Sequence, residues 1–505
     1  MRYKKAIGVF LIATLLTGIV TWGITSAAGP MYEPPPYPTK AASSLIVGVP
    51  FEDAGSIQDA GVIDTIAGVA RWGLKPDASS NTYFSQAKDG AGTPEKNELY
   101  GRAVVSGDFD SNGWYDIAIG VPGEDNWKGA IDVIFFFEDG SSVQIFIPED
   151  NRIDQGTQPG DAFGTSLVAG DFNGDGYDDL AVGAPGYDNH AGAVAVLYGF
   201  PELPLIARDL FFGTDAERFG DALARADFDA NGVYDLVVGS PNADTGNLVI
   251  NRSGKVTLLY GPLDRSFVWK ETWTQDSTGQ GVSEEDDQFG AALATGDFNG
   301  DGRADLAIGV PGEDRGTVEN TGAVNILYND QYNLSKTGAK VLFIGSPHKD
   351  NRTGFSLAAG NFNGDDSDDL VIGTPYADSN GVADAGRVDV LWGTPTDMGI
   401  TTITPPDAHF KYMGYALAAG DFSGYGYDAL VMGAPGYSSP RRSSDGAIIT
   451  LSGGYSGFSP NPQIITQNDL AATAAEDGDN FGYALAIWPP VRSPFYKQYT
   501  PLFWR

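Results

Sequence analysis

The sequence predicts an all-β chain, a seven-bladed β-propeller of four-stranded blades with one blade closed between the N- and C-terminal segments. Three observations predict it. A Gly-x-Pro tripeptide ends an apolar second strand seven times, at Gly48, Gly120, Gly183, Gly239, Gly309, Gly373 and Gly433. An aromatic-Gly pair alternates with it at Tyr100-Gly101, Phe163-Gly164, Phe219-Gly220, Phe289-Gly290 and Phe481-Gly482, with weaker forms at Thr353-Gly354 and Met413-Gly414. Between the two markers a short acidic loop is written six times, most clearly as Asp171-Phe172-Asn173-Gly174-Asp175-Gly176-Tyr177-Asp178-Asp179. Self-similarity at a regular period outranks any single residue as a fold signal.

The period selects the architecture. Successive Gly-x-Pro glycines lie 72, 63, 56, 70, 64 and 60 residues apart. One such period reads as four strands: Leu167–Ala169, Asp179–Gly183, Ala193–Tyr198 and Leu210–Phe212. Four short antiparallel strands per period suit a propeller blade, whereas solenoid repeats are usually shorter. Composition agrees, since 67 glycines and 30 prolines make turns dense and long helices improbable.

The first 28 residues read as a secretory signal: Arg2, Lys4 and Lys5, an apolar run from Ile7 to Ile24, then the small residues Ser26-Ala27-Ala28. An uncleaved membrane anchor is the other reading, because the run is near the minimum length for spanning. After cleavage no membrane insertion is expected. Residues 29–43 hold Pro30, Pro34, Pro35, Pro36 and Pro38 and form an extended spacer.

Residues 44–487 make the ring, and their phase closes it. The first marker in the chain, Leu45-Ile46-Val47-Gly48-Val49-Pro50, is a second strand with no first strand before it. The last, Phe481 to Ile487, is a first strand with no second strand after it. Joined, they complete the seventh blade and remove the open edges of the sheet. Residues 488–505, beginning Trp488-Pro489-Pro490, are an irregular tail that is either a genuine ending or a truncated reading.

The net charge of -35 excludes nucleic acid as a partner and favours cations. There is no cysteine, so an exported ring needs a stabiliser other than disulfides. The acidic loops supply one. Ligands fall at loop positions 1, 3, 5 and 9, with a backbone carbonyl at 7 and a turn glycine at 6. Loop one offers Asp108, Asp110, Asn112 and Asp116; loop two Asp171, Asn173, Asp175 and Asp179; loop three Asp227, Asp229, Asn231 and Asp235; loop four Asp297, Asn299, Asp301 and Asp305. Loop five is a weaker candidate, with Asn361, Asn363, Asp365 and Asp369 and with Asp366 at the turn. Loop six has Ser423, Tyr425 and Ala429 at three ligand positions and is expected to bind nothing.

Hard oxygen donors on a flexible loop favour Ca²⁺ over Mg²⁺. Metal-free Asx turns are the alternative. An EF-hand is excluded because position 12 is apolar, as at Val182. At a dissociation constant of ~10⁻⁴ M and millimolar Ca²⁺, each site contributes about 1.4 kcal/mol. Near-identical repeated sites point to a structural cofactor, about four Ca²⁺ per chain, rather than to catalysis.

The linked series of aromatic-Gly, acidic loop and Gly-x-Pro resembles the FG-GAP repeat. The chain is similar over about residues 42–487 to the seven-bladed head of integrin α-subunits and to secreted bacterial integrin-like repeat proteins. The resemblance implies calcium on the hairpins of one face and partner binding on the other. No inserted adhesion domain, leg domain or C-terminal membrane helix is present, so a complete integrin subunit is not expected.

No catalytic constellation stands out. His190, His348 and His409 fall at different phases of the repeat, and Cys nucleophiles are absent. FG-GAP repeats accompany a phospholipase domain in the family, yet no separate catalytic domain is visible. The expected function is an extracellular, calcium-stabilised recognition or adhesion scaffold without enzymatic activity. It binds a protein or glycan through the face opposite the calcium loops. A glycan-active enzyme or lectin, and a purely structural surface component, are the alternatives. The loops between second and third strands are the expected contacts, with Trp127, Tyr187, Tyr376 and Tyr437 as aromatic anchors.

Overall fold

The computed structural model describes residues 41–490, apart from 54–55, 87–92, 149–157, 202–204, 246–250, 262–266, 331–332, 395–398 and 471–474. The signal segment, most of the Pro-rich spacer and the tail beyond residue 490 lie outside the described residues.

Alternating apolar segments fold into seven antiparallel sheets that form the blades. Blade 2 shows the plan: Ser166–Gly170 innermost, then Asp179–Ala184, Ala193–Tyr198 and Ile206–Phe212 outermost. The innermost strands contact one another in sequence around the axis, and the last, Ala484–Trp488, packs on the first, Val104–Gly107. The ring is therefore closed. Six sheets have four strands and the seventh has five. The extra strand is a division of one position: Gly73–Lys75 and Thr82–Phe84 both pair with Val62–Val69, at its end and its start respectively.

The split blade joins in the register the phase of the repeat demands. Ser44–Val49 pairs antiparallel with Ala484–Trp488, Leu45 facing Ile487 and Val47 facing Leu485. The closing strand runs through Trp488, which the sequence alone assigns to the tail. The Trp488 indole donates to the Tyr115 carbonyl at 2.9 Å and lies 4.8 Å from the Phe136 ring, tying blade 7 to blade 1.

Two aromatic layers fill the ring. Tyr100, Phe163, Phe219, Phe289 and Phe481 of the aromatic-Gly pairs are fully buried. So are the phenylalanines at loop position 2, Phe109, Phe172, Phe228, Phe298 and Phe362, with Phe422 close behind. Each side chain fully removed from water contributes about 1.5–3 kcal/mol. The two markers recur together because they touch. The glycine of each Gly-x-Pro lies against the glycine of the next blade's aromatic-Gly pair. A Cβ added at Gly120 would stand 2.0 Å from the Gly164 carbonyl oxygen, and the same contact recurs at all seven junctions.

Candidate functional site

The strand order places the acidic loops at one end of every hairpin and both glycine markers at the other. In blade 2, Asp179 faces Gly170 at the loop end and Gly183 faces Ser166 at the opposite end.

Each loop is shaped by its own first and ninth residues. The carboxylate at position 1 accepts the N–H of the turn glycine at position 6: Asp108 from Gly113, Asp171 from Gly176, Asp227 from Gly232 and Asp297 from Gly302, at 2.7–3.2 Å. That glycine is left-handed in each, φ being +91°, +90°, +87° and +81°. Position 9 opens the second strand. One oxygen of its carboxylate accepts the N–H of the position 2 phenylalanine, at 2.7–3.0 Å in Asp116, Asp179, Asp235 and Asp305. The other accepts an N–H at the end of the third strand, from Phe136, Gly199, Gly261 and Asn329 respectively. The ninth residue is thus a brace as well as a candidate ligand.

The electrostatics favour a cation. Burial pushes Asp116 and Asp179 up to about 8, and Asp235 and Asp305 to about 7. The two N–H bonds work against that rise, and the neighbouring loop carboxylates add to it. In loops one and three the carboxylate oxygens of Asp108, Asp110 and Asp116, and of Asp227, Asp229 and Asp235, converge within 4.8 Å of one another. Loop four holds an orphan: the buried Asn299 Oδ1 at position 3 has no hydrogen-bond partner among the described residues. Its Asp301 is drawn 2.5 Å from Arg303, and loops two and four do not reach the convergence of one and three. These donor sets fit a hard divalent cation. Loops one and three are the better gathered.

Loops five and six behave differently. Asp369 keeps both braces and is raised to about 7 by burial. Asp366 replaces the turn glycine and is not left-handed, while the Asn361 amide donates to the Asp365 carbonyl at 2.5 Å. Loop six retains the turn, Asp421 accepting from Gly426 at 2.6 Å, with Ala429 in place of the brace. The turn therefore forms with the position 1 carboxylate accepting backbone N–H groups, and the charge at positions 3, 5 and 9 is additional to it.

A loop contact that the sequence reading missed links the blades. Position 8 is Asp178, Asp368 or Asp428 in three loops. Each carboxylate accepts the backbone N–H of position 1 in the preceding loop: Asp108 at 2.9 Å, Asp297 at 2.9 Å and Asn361 at 3.0 Å. The N–H of the position 8 residue returns a bond to the same residue's carbonyl, as from Asp178 to Asp108 at 3.1 Å. The doubled acids Asp178-Asp179 and Asp368-Asp369 were the available signal.

On the opposite face, the residue after each aromatic-Gly marker points to the axis. All seven, Arg102, Thr165, Asp221, Ala291, Phe355, Tyr415 and Tyr483, line one axial cavity of about 530 Å³. Arg218, Arg252 and Arg352 stand in the same wall. Arg218 and Arg252 are engaged by Asp221 and Asp286. Arg102 and Arg352 have no carboxylate partner among the described residues. They lie over aromatic rings, Arg102 4.7 Å from the Tyr483 centroid and Arg352 5.4 Å from that of Tyr376. Burial lowers the Arg102 pKa, without approaching neutrality for a guanidinium. Rings continue in contact from Phe51 through Tyr483, Tyr415, Phe355 and Tyr376 to Tyr412.

The expected aromatic anchors divide. Trp127 is exposed and lines an adjoining cavity of about 570 Å³ with Arg102 and His190. Tyr187 packs on Phe212, and Tyr437 on Phe410, as ordinary loop packing. Tyr376 belongs to the aromatic arc.

The FG-GAP repeat family matches residues 100–134, 163–197, 219–259, 289–327 and 353–396. Phosphatidylinositol-glycan-specific phospholipase D of Rattus norvegicus is 31% identical over 220 residues, 42% of this chain and 24% of the relative. The Bos taurus protein of the same name is 35% identical over 164 residues, 29% of this chain and 18% of the relative. Integrin alpha-PS2 of Drosophila melanogaster is 31% identical over 229 residues, 43% of this chain and 15% of the relative. The chain spans a quarter or less of the length of these relatives. With its seven-bladed ring, the chain is an integrin-like FG-GAP repeat propeller.

Proposed function

We propose that this FG-GAP propeller is an extracellular recognition scaffold, braced by calcium on one face and binding an acidic protein or glycan with the other. The observation that carries this reading is the axial mouth. In a chain of net charge -35, arginines gather at one cavity together with a continuous aromatic arc. Guanidinium groups over rings offer charge, hydrogen bonds and stacking area to a carboxylate- or sulfate-bearing ligand. The variable residues of the repeat lie at this mouth, where one ligand is told from another.

Calcium would be held by positions 1, 3, 5 and 9 of loops one to four. It would neutralise carboxylates that burial already holds at raised pKa, and its role is structural. Secretion is consistent with the basic and apolar N-terminus. No helix among the described residues is long and apolar enough to cross a membrane.

A non-enzymatic role is favoured over glycan cleavage. Two carboxyl pairs on the mouth face, Glu98 with Glu124 and Glu52 with Asp479, are hydrogen-bonded to one another. A glycosidase pair stands about 5 Å or more apart to admit the sugar.

A glycan array and a panel of immobilised extracellular proteins, probed with the full chain, test the reading. The expected result is binding to acidic ligands that Arg102→Ala with Arg352→Ala abolishes while the melting temperature is kept. Binding untouched by both changes sinks the mouth as the site, and turnover of a bound polysaccharide sinks the non-enzymatic assignment.

A further inference from the structure

We propose that three blade junctions on the mouth face are a second class of calcium site, each built from two paired carboxyls, five of the six being buried, and a glutamine amide oxygen. This is independent of the ligand proposed for the mouth.

The motif is Pro-x-Glu-Asp, present at Pro50–Asp53, Pro122–Asp125 and Pro311–Asp314. The other four Gly-x-Pro copies carry Tyr187, Ala243, Ala377 or Tyr437 where these have glutamate. Wherever the glutamate occurs, a second acid lies two residues before the aromatic-Gly marker of the same blade. Glu52 meets Asp479, Glu124 meets Glu98, and Glu313 faces Asp287. Wherever the pair occurs, a glutamine arrives from the end of the preceding blade. Gln467 Nε2 donates to Glu52 at 2.7 Å, Gln86 Nε2 to Glu124 at 3.3 Å, and Gln275 Nε2 to Glu313 at 2.5 Å.

The glutamines point to a ligand. They are 0%, 2% and 0% exposed in that order, and in all three Oε1 is buried without a hydrogen-bond partner among the described residues. A buried amide oxygen left unmet costs about 1–3 kcal/mol. The same atom is left unmet three times, beside two carboxyls each time. The geometry is a cradle of hard oxygens.

Blade 3 shows one way in which this position is filled. Its acid, Glu217, stands alone, with Ala243 in place of the second carboxyl. Lys255 fills the junction, its ammonium 2.5 Å from Glu217. The residues corresponding to Lys255 in the three glutamate-bearing blades are Val62, Ala130 and Ala323. Thus in blade 3 a lone buried acid is answered by a built-in cation, whereas the paired acids of the three glutamate-bearing junctions have no salt-bridge partner among the described residues. Ca²⁺ suits the set better than Mg²⁺, which keeps several waters that a buried protein cradle excludes. Nitrogen and sulfur donors for softer metals are missing.

The competing occupant is a proton shared by the two carboxyls. The two are separated by counting Ca²⁺ bound to the EDTA-stripped full chain by equilibrium dialysis at pH 7.5. Two variants are compared with the unaltered chain. One is Glu313→Gln. The other combines Glu313→Ala with Ala323→Lys, transplanting the blade 3 solution, so that folding is kept. Each is expected to bind one calcium fewer, with a smaller rise in melting temperature on adding Ca²⁺. An unchanged count in the double variant, or an unchanged count in Glu313→Gln with a raised melting temperature in EDTA, overturns the proposal in favour of the proton.

Discussion

Gly433 and Gly482 meet backbone to backbone across the junction of blades 6 and 7: a Cβ on Gly433 would stand 2.1 Å from the Gly482 carbonyl oxygen. The obstacle is main chain on both sides, so neither rotamer change nor a flexible tip can relieve it. Gly433→Ala is therefore expected to cost at least about 2 kcal/mol, seen as a lower denaturation midpoint. Gly399→Ala is the control, its nearest atom lying 3.7 Å away, with an expected change within about 0.5 kcal/mol. Equal losses in the two variants would dismiss the contact as the reason the markers recur.

Loop three separates bracing from binding. Asp235 holds the loop and the third strand through Phe228 and Gly261, whereas the bonds of Asp229, to Asn231 and Asp227, stay within the loop. Asp235→Ala should lower the melting temperature with or without calcium. Asp229→Ala should do so only in calcium, by the loss of about 1.4 kcal/mol at millimolar Ca²⁺ and a dissociation constant of ~10⁻⁴ M. Scanning calorimetry in EDTA and in Ca²⁺ distinguishes them, and identical behaviour would leave loop three without a metal.

The calcium-stripped chain should be most stable in mild acid. Burial, then the charge of Glu124, pushes Glu98 up to about 9; burial, then Asp479, pushes Glu52 up to about 8. An acid whose folded pKa lies above its unfolded value near 4.5 stabilises below that value, and the contribution is lost as pH rises through the folded value. Melting temperature in EDTA should therefore fall between about pH 5 and pH 9. Glu98→Gln should flatten the fall. A melting temperature that rises over this window would reverse the sign and the assignment.

Removing the closing strand should unmake the ring. A chain ending at Tyr483 leaves Ser44–Val49 with one face of its ladder unpaired, although every residue from Leu45 to Val49 is buried. The expected product is aggregated or oligomeric in size-exclusion chromatography. A synthetic peptide of residues 484–490 should restore part of the monomer. A stable, soluble monomer without that peptide would show that closure is dispensable.

The ring and its acidic loops were legible because they repeat. Asp171, Asn173, Asp175 and Asp179 keep one spacing from copy to copy, and the phase of Leu45 against Ile487 dictates the closed blade. Less was legible where meaning lies between copies. The Asp178 clasp joins two loops, and its pattern is only a second acid beside an expected one. The mouth was hidden because its residues differ: Arg102, Thr165 and Tyr483 occupy equivalent positions with no shared chemistry. The four loop sets also proved unequal. Arg303, at a position expected to offer only its carbonyl, turns back on Asp301 and occupies a candidate ligand. The Glu–Gln junctions escaped notice for a similar reason, since Gln467 and Glu52 stand 415 positions apart.

That separation has a kinetic meaning. Six blades are made of contiguous chain and can pair as they emerge, but the seventh waits for both ends. Its pairing closes nearly the longest loop the chain contains, an entropic step that local propensity cannot hasten. Until Ala484–Trp488 arrives, the edge beside Leu45 and Val47 is open to any other strand. Yield in the test tube should then depend on dilution during refolding, because the step that completes the ring competes with the same step taken by a neighbouring molecule.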